Sequence, residues 1–141
     1  MIVLGPGSLY SSIIPNLLVK GIKEAVQNAA GLKLLMCNVM TQAGETDNYS
    51  VAQYARTIEG YLGSGVIEYM LINDRICTDD ELRPYQKQGM KQMLATDNDR
   101  RVLKDMRIMP IESNMISFGQ GVARHDADRV AGIMMSLLNE S

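Results

Sequence analysis

The chain has 141 residues, enough for one domain with a buried core and too few for two ordinary ones. Apolar residues make up 46% and charged residues 21%, and a net charge of −2 supplies no positive field to gather nucleic acid or an anionic membrane. No apolar run reaches the roughly 20 residues of a membrane-spanning helix. Met1 leads straight into a strand and a glycine turn, without a basic region or cleavage site, so a cytoplasmic protein is expected, with Cys37 and Cys77 as reduced, buried or half-buried thiols.

Met1 to Leu4 reads as a short apolar strand, and Gly5-Pro6-Gly7-Ser8 as a sharp turn. The spacing of Ile14, Leu17, Leu18, Ile22, Ala25, Val26 and Ala29 predicts one helix ended by Gly31, with Gly21 on its stripe allowing close packing. Leu32 to Asn38 is apolar on both faces, as a central parallel strand is. A polar loop follows. Val51, Tyr54, Ala55, Ile58, Tyr61 and Leu62 then mark a second helix, with Ser50 and Gln53 placed for a capping box.

Val66 to Ile72 reads as a third strand, and Thr78 to Gln88, which contains Pro84, as a loop or irregular helix. Gln92 to Ala95 fits a short fourth strand, and Asp97 the cap of a helix running to Met106. Ile108 to Phe118 fits a strand bent at Pro110. Asp126 fits the cap of a last helix with the stripe Ala127, Val130, Met134, Leu137 and Leu138. This alternation predicts a single α/β domain over residues 1–141, with an open, mostly parallel sheet and helices on both faces. Ligands of such sheets bind beyond the carboxyl ends of the strands. Three polar stretches lie there: Gly5 to Ser12, Asn38 to Tyr49, and Asn73 onward.

Three motifs carry candidate chemistry. In Gly5-Pro6-Gly7-Ser8 the small residues let backbone N–H groups approach an anion at a helix start, and the same residues equally make a plain strand–helix turn. In Met40-Thr41-Gln42-Ala43-Gly44-Glu45-Thr46-Asp47, polar side chains can hydrogen-bond a small ligand, and Glu45 and Asp47 can bind a metal or act as a base. A solvated loop ending in a helix cap is the plainer account. In Gln120 to Asp126, Arg124 can clamp a phosphate or sit in a surface ion pair, and His125 is the sole histidine, which excludes a histidine-rich metal site. Tyr85 offers a ring for base stacking or simply a half-buried tyrosine. No nucleophile elbow is present, and no catalytic residue or metal ligand set is assigned.

Taken together, GPGSLYSSIIPNLLVKGI, CNVMTQAGETDNYSVAQYA and RHDADRV closely resemble the YvcK/CofD-like family, in the same order over essentially the whole chain. The resemblance implies a Rossmann-like nucleotide-binding domain. GPGSLY followed by MTQxGETD is the form of the YvcK branch, which implies a UDP-sugar-binding regulator linked to cell shape, envelope synthesis and gluconeogenic growth. By that similarity Gly5, Pro6, Gly7 and Ser8 lie by the ligand phosphates, Thr41, Gln42, Glu45 and Thr46 line the same crevice, and Tyr85 and Arg124 bind the UDP-sugar. The other branch implies a transferase that moves a phospholactyl-type group from a nucleotide-activated donor to a deazaflavin, helped by Mg²⁺ near Glu45 or Asp47.

The chain departs from the family pattern at Ser11-Ser12 and at Ala43. Family members also carry an upstream half with a glycine-rich loop, which implies that this chain corresponds to the C-terminal half of such a domain or to a natural short form. A second copy or a partner is then expected over the sheet edge that the upstream half covers.

Overall fold

A computed structural model describes residues 1–119 and 121–139. Four short strands form one parallel sheet in the order β1 (Ile2–Leu4), β2 (Lys33–Met36), β3 (Tyr69–Asn73), β4 (Met109–Ser113). The register pairs Val3 with Leu34, Leu35 with Met70, and Leu71 with Ile111. Pro110 sits in β4, an edge strand of this sheet, where a missing N–H costs no central ladder bond. The fold is the expected α/β, Rossmann-like one.

Because side chains alternate along a strand, β2 and β3 bury both faces. Leu35, Cys37, Met70 and Ile72 join Leu4 under α1 (Ile14–Leu17), α3 (Val51–Leu62) and α5 (Asp97–Asp105). Leu34, Met36 and Leu71 face the other way, against Met115 and Val130, the latter on α6 (Ala127–Asn139). Helices therefore cover both faces. Cys37 and Cys77 are buried free thiols.

The first expected helix is broken. Leu9–Ile13 is a π-helical segment, α1 follows, and the chain turns before α2 (Ile22–Asn28). Gly21 sits at the break with φ +91° and open space where a Cβ would be, so it supplies a left-handed turn rather than close packing. The turn rotates the stripe out of the core: Leu18 is 67% exposed, and Ile22 and Ala25 are exposed as well. In α3 the expected stripe is buried except for Tyr61, and Ser50 Oγ accepts from the Gln53 N–H at 3.2 Å.

Thr78 to Gln88 holds a helix, α4 (Asp79–Gln86), because Thr78 and Glu81 cap it reciprocally. Gln92 to Ala95 forms a single bridge between Gln92 and Met40, since the chain turns at once into the next helix. That helix is capped by Thr96, not Asp97: Thr96 Oγ1 accepts from the Asp99 N–H at 3.1 Å. The expected long strand from Ile108 divides after Ser113. Its second part is β5 (Ile116–Gly119), which pairs antiparallel with β6 (Val122–His125), a strand the sequence reading did not anticipate. Asp126 does cap α6, its Oδ1 accepting from the Arg129 N–H at 3.1 Å. Among the described residues no helix is long and apolar enough to cross a membrane.

Asp99 joins two helices. Its Oδ1 accepts from the Ala52 N–H in the first turn of α3 at 3.0 Å, and its Oδ2 accepts from Thr96 Oγ1 at 2.6 Å and the Thr96 N–H at 2.9 Å. Burial pushes this carboxyl up, but the hydrogen bonds from Thr96, Ala52 and Ser50 outweigh it and hold its pKa below the usual aspartate value. The ionised form is thus stabilised by folding. Asp99→Ala should cost about 2–3 kcal/mol in urea unfolding at pH 7, since it leaves buried donors without partners. The Asp99 contribution should be complete above pH ~4 and vanish as the pH falls through the depressed value, an acid dependence that Asp99→Asn should lack.

Candidate functional site

Beyond the carboxyl ends of β1 and β2 the polar loops enclose a cleft of about 520 Å³. One wall is Pro6, Gly7 and Ser8; the floor is Asn38, Val39, Met40 and Gln42. The far wall is Tyr85 of α4, Met90, and Val122 to His125 of β6. Of the residues singled out from sequence, Pro6, Gly7, Ser8, Gln42, Tyr85 and Arg124 line this cleft. Gly5, Thr41, Glu45 and Thr46 do not line it, and each has a framework role.

Gly5 turns the chain out of β1 with φ +88°, and a Cβ there would lie 3.2 Å from both the Met36 carbonyl oxygen and Ile13 Cδ1. Any other residue is both strained and crowded. Thr41 is buried: its N–H donates to the Lys91 carbonyl and its Oγ1 accepts from the Lys91 N–H, each at 2.8 Å. Thr46 Oγ1 accepts from the Gln42 N–H at 2.8 Å, which closes the loop on itself. Glu45 accepts from Ser11 Oγ at 2.7 Å and from the Tyr10 N–H at 3.3 Å, so its carboxylate caps the first turn of the π-helical segment.

The cleft side differs. Asn38 holds Gly7 with both amide atoms, Oδ1 accepting from the Gly7 N–H at 3.3 Å and Nδ2 donating to its carbonyl at 2.9 Å. Gln42 Nε2 donates to Ser8 Oγ at 2.8 Å. This occupies a lone pair of Ser8 and leaves its hydroxyl proton to donate elsewhere. Gln42 Oε1 is buried with no hydrogen-bond partner among the described residues. A buried amide oxygen without a donor is costly.

On the far wall, α4 is tied to the chain before it by an ion pair between Arg75 and Glu81 at 2.6 Å, and the Arg75 guanidinium lies 5.4 Å from the centre of the Phe118 ring. The Tyr85 hydroxyl accepts from the Ala123 N–H. Arg124 is exposed and makes no ion pair or side-chain hydrogen bond among the described residues. His125 Nε2 donates to the Cys37 carbonyl at 3.0 Å, which leaves Nδ1 as an acceptor. Gln120, the first residue of the expected motif here, lies outside the described residues.

The arrangement offers an anion a guanidinium that is unpaired among the described residues, and offers a polar ligand a serine donor beside a buried amide oxygen that lacks one. Among the described residues no three His, Cys, Asp or Glu side chains gather as a metal site. Asn38 and His125 were not assigned to the site from sequence. A polar residue closing an apolar parallel strand was the available signal for Asn38. His125 meets a carbonyl 88 residues away, which no local pattern reveals.

Burial pushes the His125 imidazole below its ordinary value, against a smaller upward pull from the Cys37 carbonyl. As the sole histidine, its NMR titration should be unambiguous and centred below pH 6.5. The folded state favours the neutral ring, so this contribution to stability should be present above pH 6.5 and fall away as the pH drops through the depressed value.

The family model described as 2-phospho-L-lactate transferase CofD matches residues 1–116. The protein named gluconeogenesis factor from Bacillus subtilis (strain 168) is 38% identical over 140 residues, which cover 99% of this chain and 43% of that protein. A gluconeogenesis factor from Halalkalibacterium halodurans is 35% identical over 131 residues, covering 93% of this chain and 40% of the relative. The crystal structure of protein BH3568 from Bacillus halodurans superposes with a TM-score of 0.88 at 34% identity, over 95% of this chain and 42% of that one. This chain spans less than half the length of these relatives. A second crystal structure, of a member of the UPF0052 family from the same organism, gives a TM-score of 0.87. On the family match and the shared fold, the chain belongs to the YvcK/CofD-like family.

Proposed function

We propose that the cleft binds a nucleotide sugar, with a UDP-sugar as the leading candidate, and that the chain serves as the ligand-sensing part of a regulator of gluconeogenic growth, cell shape and envelope synthesis. The observation that carries this reading is the pairing of unsatisfied groups in one cleft. Among the described residues Arg124 has no anionic partner, and Gln42 Oε1 has no donor. A diphosphate meets the first, and a sugar hydroxyl or base N–H meets the second. Ser8 and the Gly7 turn complete the phosphate side. The name gluconeogenesis factor on the relatives supports the link to carbon metabolism.

The acidic residues of the polar loop do not fit a cation cage. Both oxygens of Glu45 accept hydrogen bonds, Asp47 Oδ2 accepts from the Gly44 N–H at 2.8 Å, and neither residue lines the cleft. No step here is assigned to Mg²⁺.

The description of the matching family favours a second reading, a transferase acting on a nucleotide-activated phospholactate and a deazaflavin. Incubating the chain with both and finding no transferred product is the outcome expected under the regulatory reading. Product formation would replace it with the enzymatic one.

Thermal unfolding with UDP-N-acetylglucosamine tests the leading proposal. Ligand at about a hundred times its Kd should stabilise the folded chain by roughly 2.7 kcal/mol. Arg124→Ala should melt normally without ligand and lose the shift. A cooperatively melting chain that shows no shift with any UDP-sugar would refute the proposal.

A further inference from the structure

The far wall of the cleft stands apart from the main sheet. Among the described residues β5 and β6 pair only with each other. A two-stranded ribbon is marginal by itself in water, so its position depends on what holds it to neighbouring elements. Two hydrogen bonds from β6 reach across the cleft walls: the Ala123 N–H donates to the Tyr85 hydroxyl, and His125 Nε2 donates to the Cys37 carbonyl. Arg124 lies between these two anchored residues. Its own side chain is exposed and contributes no tether, so its placement is inherited from the backbone on either side.

Tyr85 is itself well fixed. Its helix begins with the reciprocal cap of Thr78 and Glu81, and its ring packs in an apolar cluster under the loop after β2. In an antiparallel ribbon, an N–H turned away from the partner strand is free to bond outward. The Ala123 N–H is such a group, and Tyr85 is its acceptor.

We infer that Tyr85 is a positioning residue: its hydroxyl is a strut that fixes β6 and so aims Arg124 into the cleft, and its effect on ligand binding runs through Arg124. The inference rests on the reading of Arg124 as the group that grips the ligand's phosphates. It differs from that reading in making the tyrosine oxygen structural for the hairpin, not a contact for the ligand.

Two measurements on the full chain test it. Tyr85→Phe removes only the oxygen and keeps the ring. Without ligand, amide hydrogen exchange across residues 116–125 should then quicken about tenfold, while exchange in α3 stays as it was. Unchanged exchange in the hairpin would overturn the strut. With UDP-N-acetylglucosamine, Tyr85→Phe should weaken binding about tenfold in the parent chain but less than threefold in an Arg124→Lys background, because lysine lacks the fork whose orientation matters. Equal weakening in both backgrounds would overturn the inference in favour of direct contact with the ligand. If the parent chain does not bind the UDP-sugar at all, the nucleotide-sugar reading fails, and the exchange experiment decides the role of Tyr85 alone.

Discussion

Asn38 grips Gly7 through both the N–H and the carbonyl, and the site is organised around that pair of hydrogen bonds. The first fixes where the chain goes after it leaves β1, and the second fixes the side chain that ends β2. Parallel neighbours point their carboxyl ends the same way, so joining the loops at these ends turns two strand exits into one rigid floor. Gly5 makes the junction possible. Its left-handed backbone strains any other residue, and a Cβ there would be crowded at 3.2 Å from the Met36 carbonyl oxygen. Ser8 and Gln42 are then close enough to bond, and the cleft follows from their spacing.

Polar groups near this floor divide into two populations. Those of Thr41, Thr46 and Glu45 are satisfied by the protein itself: Thr46 by the Gln42 N–H of its own loop, Thr41 by the Lys91 N–H, and Glu45 by the Ser11 hydroxyl and the Tyr10 N–H. Gln42 Oε1 and Arg124 have no such partner among the described residues. Polar residues of the first kind shape a loop, and residues of the second kind leave interactions for something else to make. The sequence does not distinguish the two, since Thr41 and Gln42 are neighbours with similar composition around them. The distinction is a matter of which atoms have partners after folding.

The two walls also differ in how they are built. The wall from β1 continues the main sheet and shares its core with α1 and α3. The opposite wall is a helix and a ribbon packed on a small apolar cluster of Val39, Met40, Cys77 and Ile116, and held further by specific contacts, among them Arg75 over the Phe118 ring and the bond from His125 to Cys37. The cleft therefore has one face set by the main core and another set by a smaller apolar cluster together with individual hydrogen bonds. Such a wall is where single side chains have leverage over geometry.

Much of the fold was legible in the chain. The apolar run ending at Asn38, the amphipathic spacing from Val51 and the cap at Ser50 specify a buried strand and a helix through local physics alone. The polar stretches marked the edge where the cleft lies because buried parallel strands leave polar residues nowhere else to gather. Local pattern failed where geometry depended on distant partners. Leu18 and Ile22 share a helical stripe in sequence, yet Gly21 breaks the helix and both face solvent. The strand β6 exists because Ile116 to Gly119 lies opposite it, and Arg124 reaches the cleft because Ala123 and His125 are anchored by Tyr85 and Cys37. The sequence by itself determined the layered α/β architecture and the edge at which the cleft lies, since periodicity and burial act through near neighbours. Tertiary structure alone decided which polar atoms are left unpaired, because that depends on contacts between residues far apart in the chain.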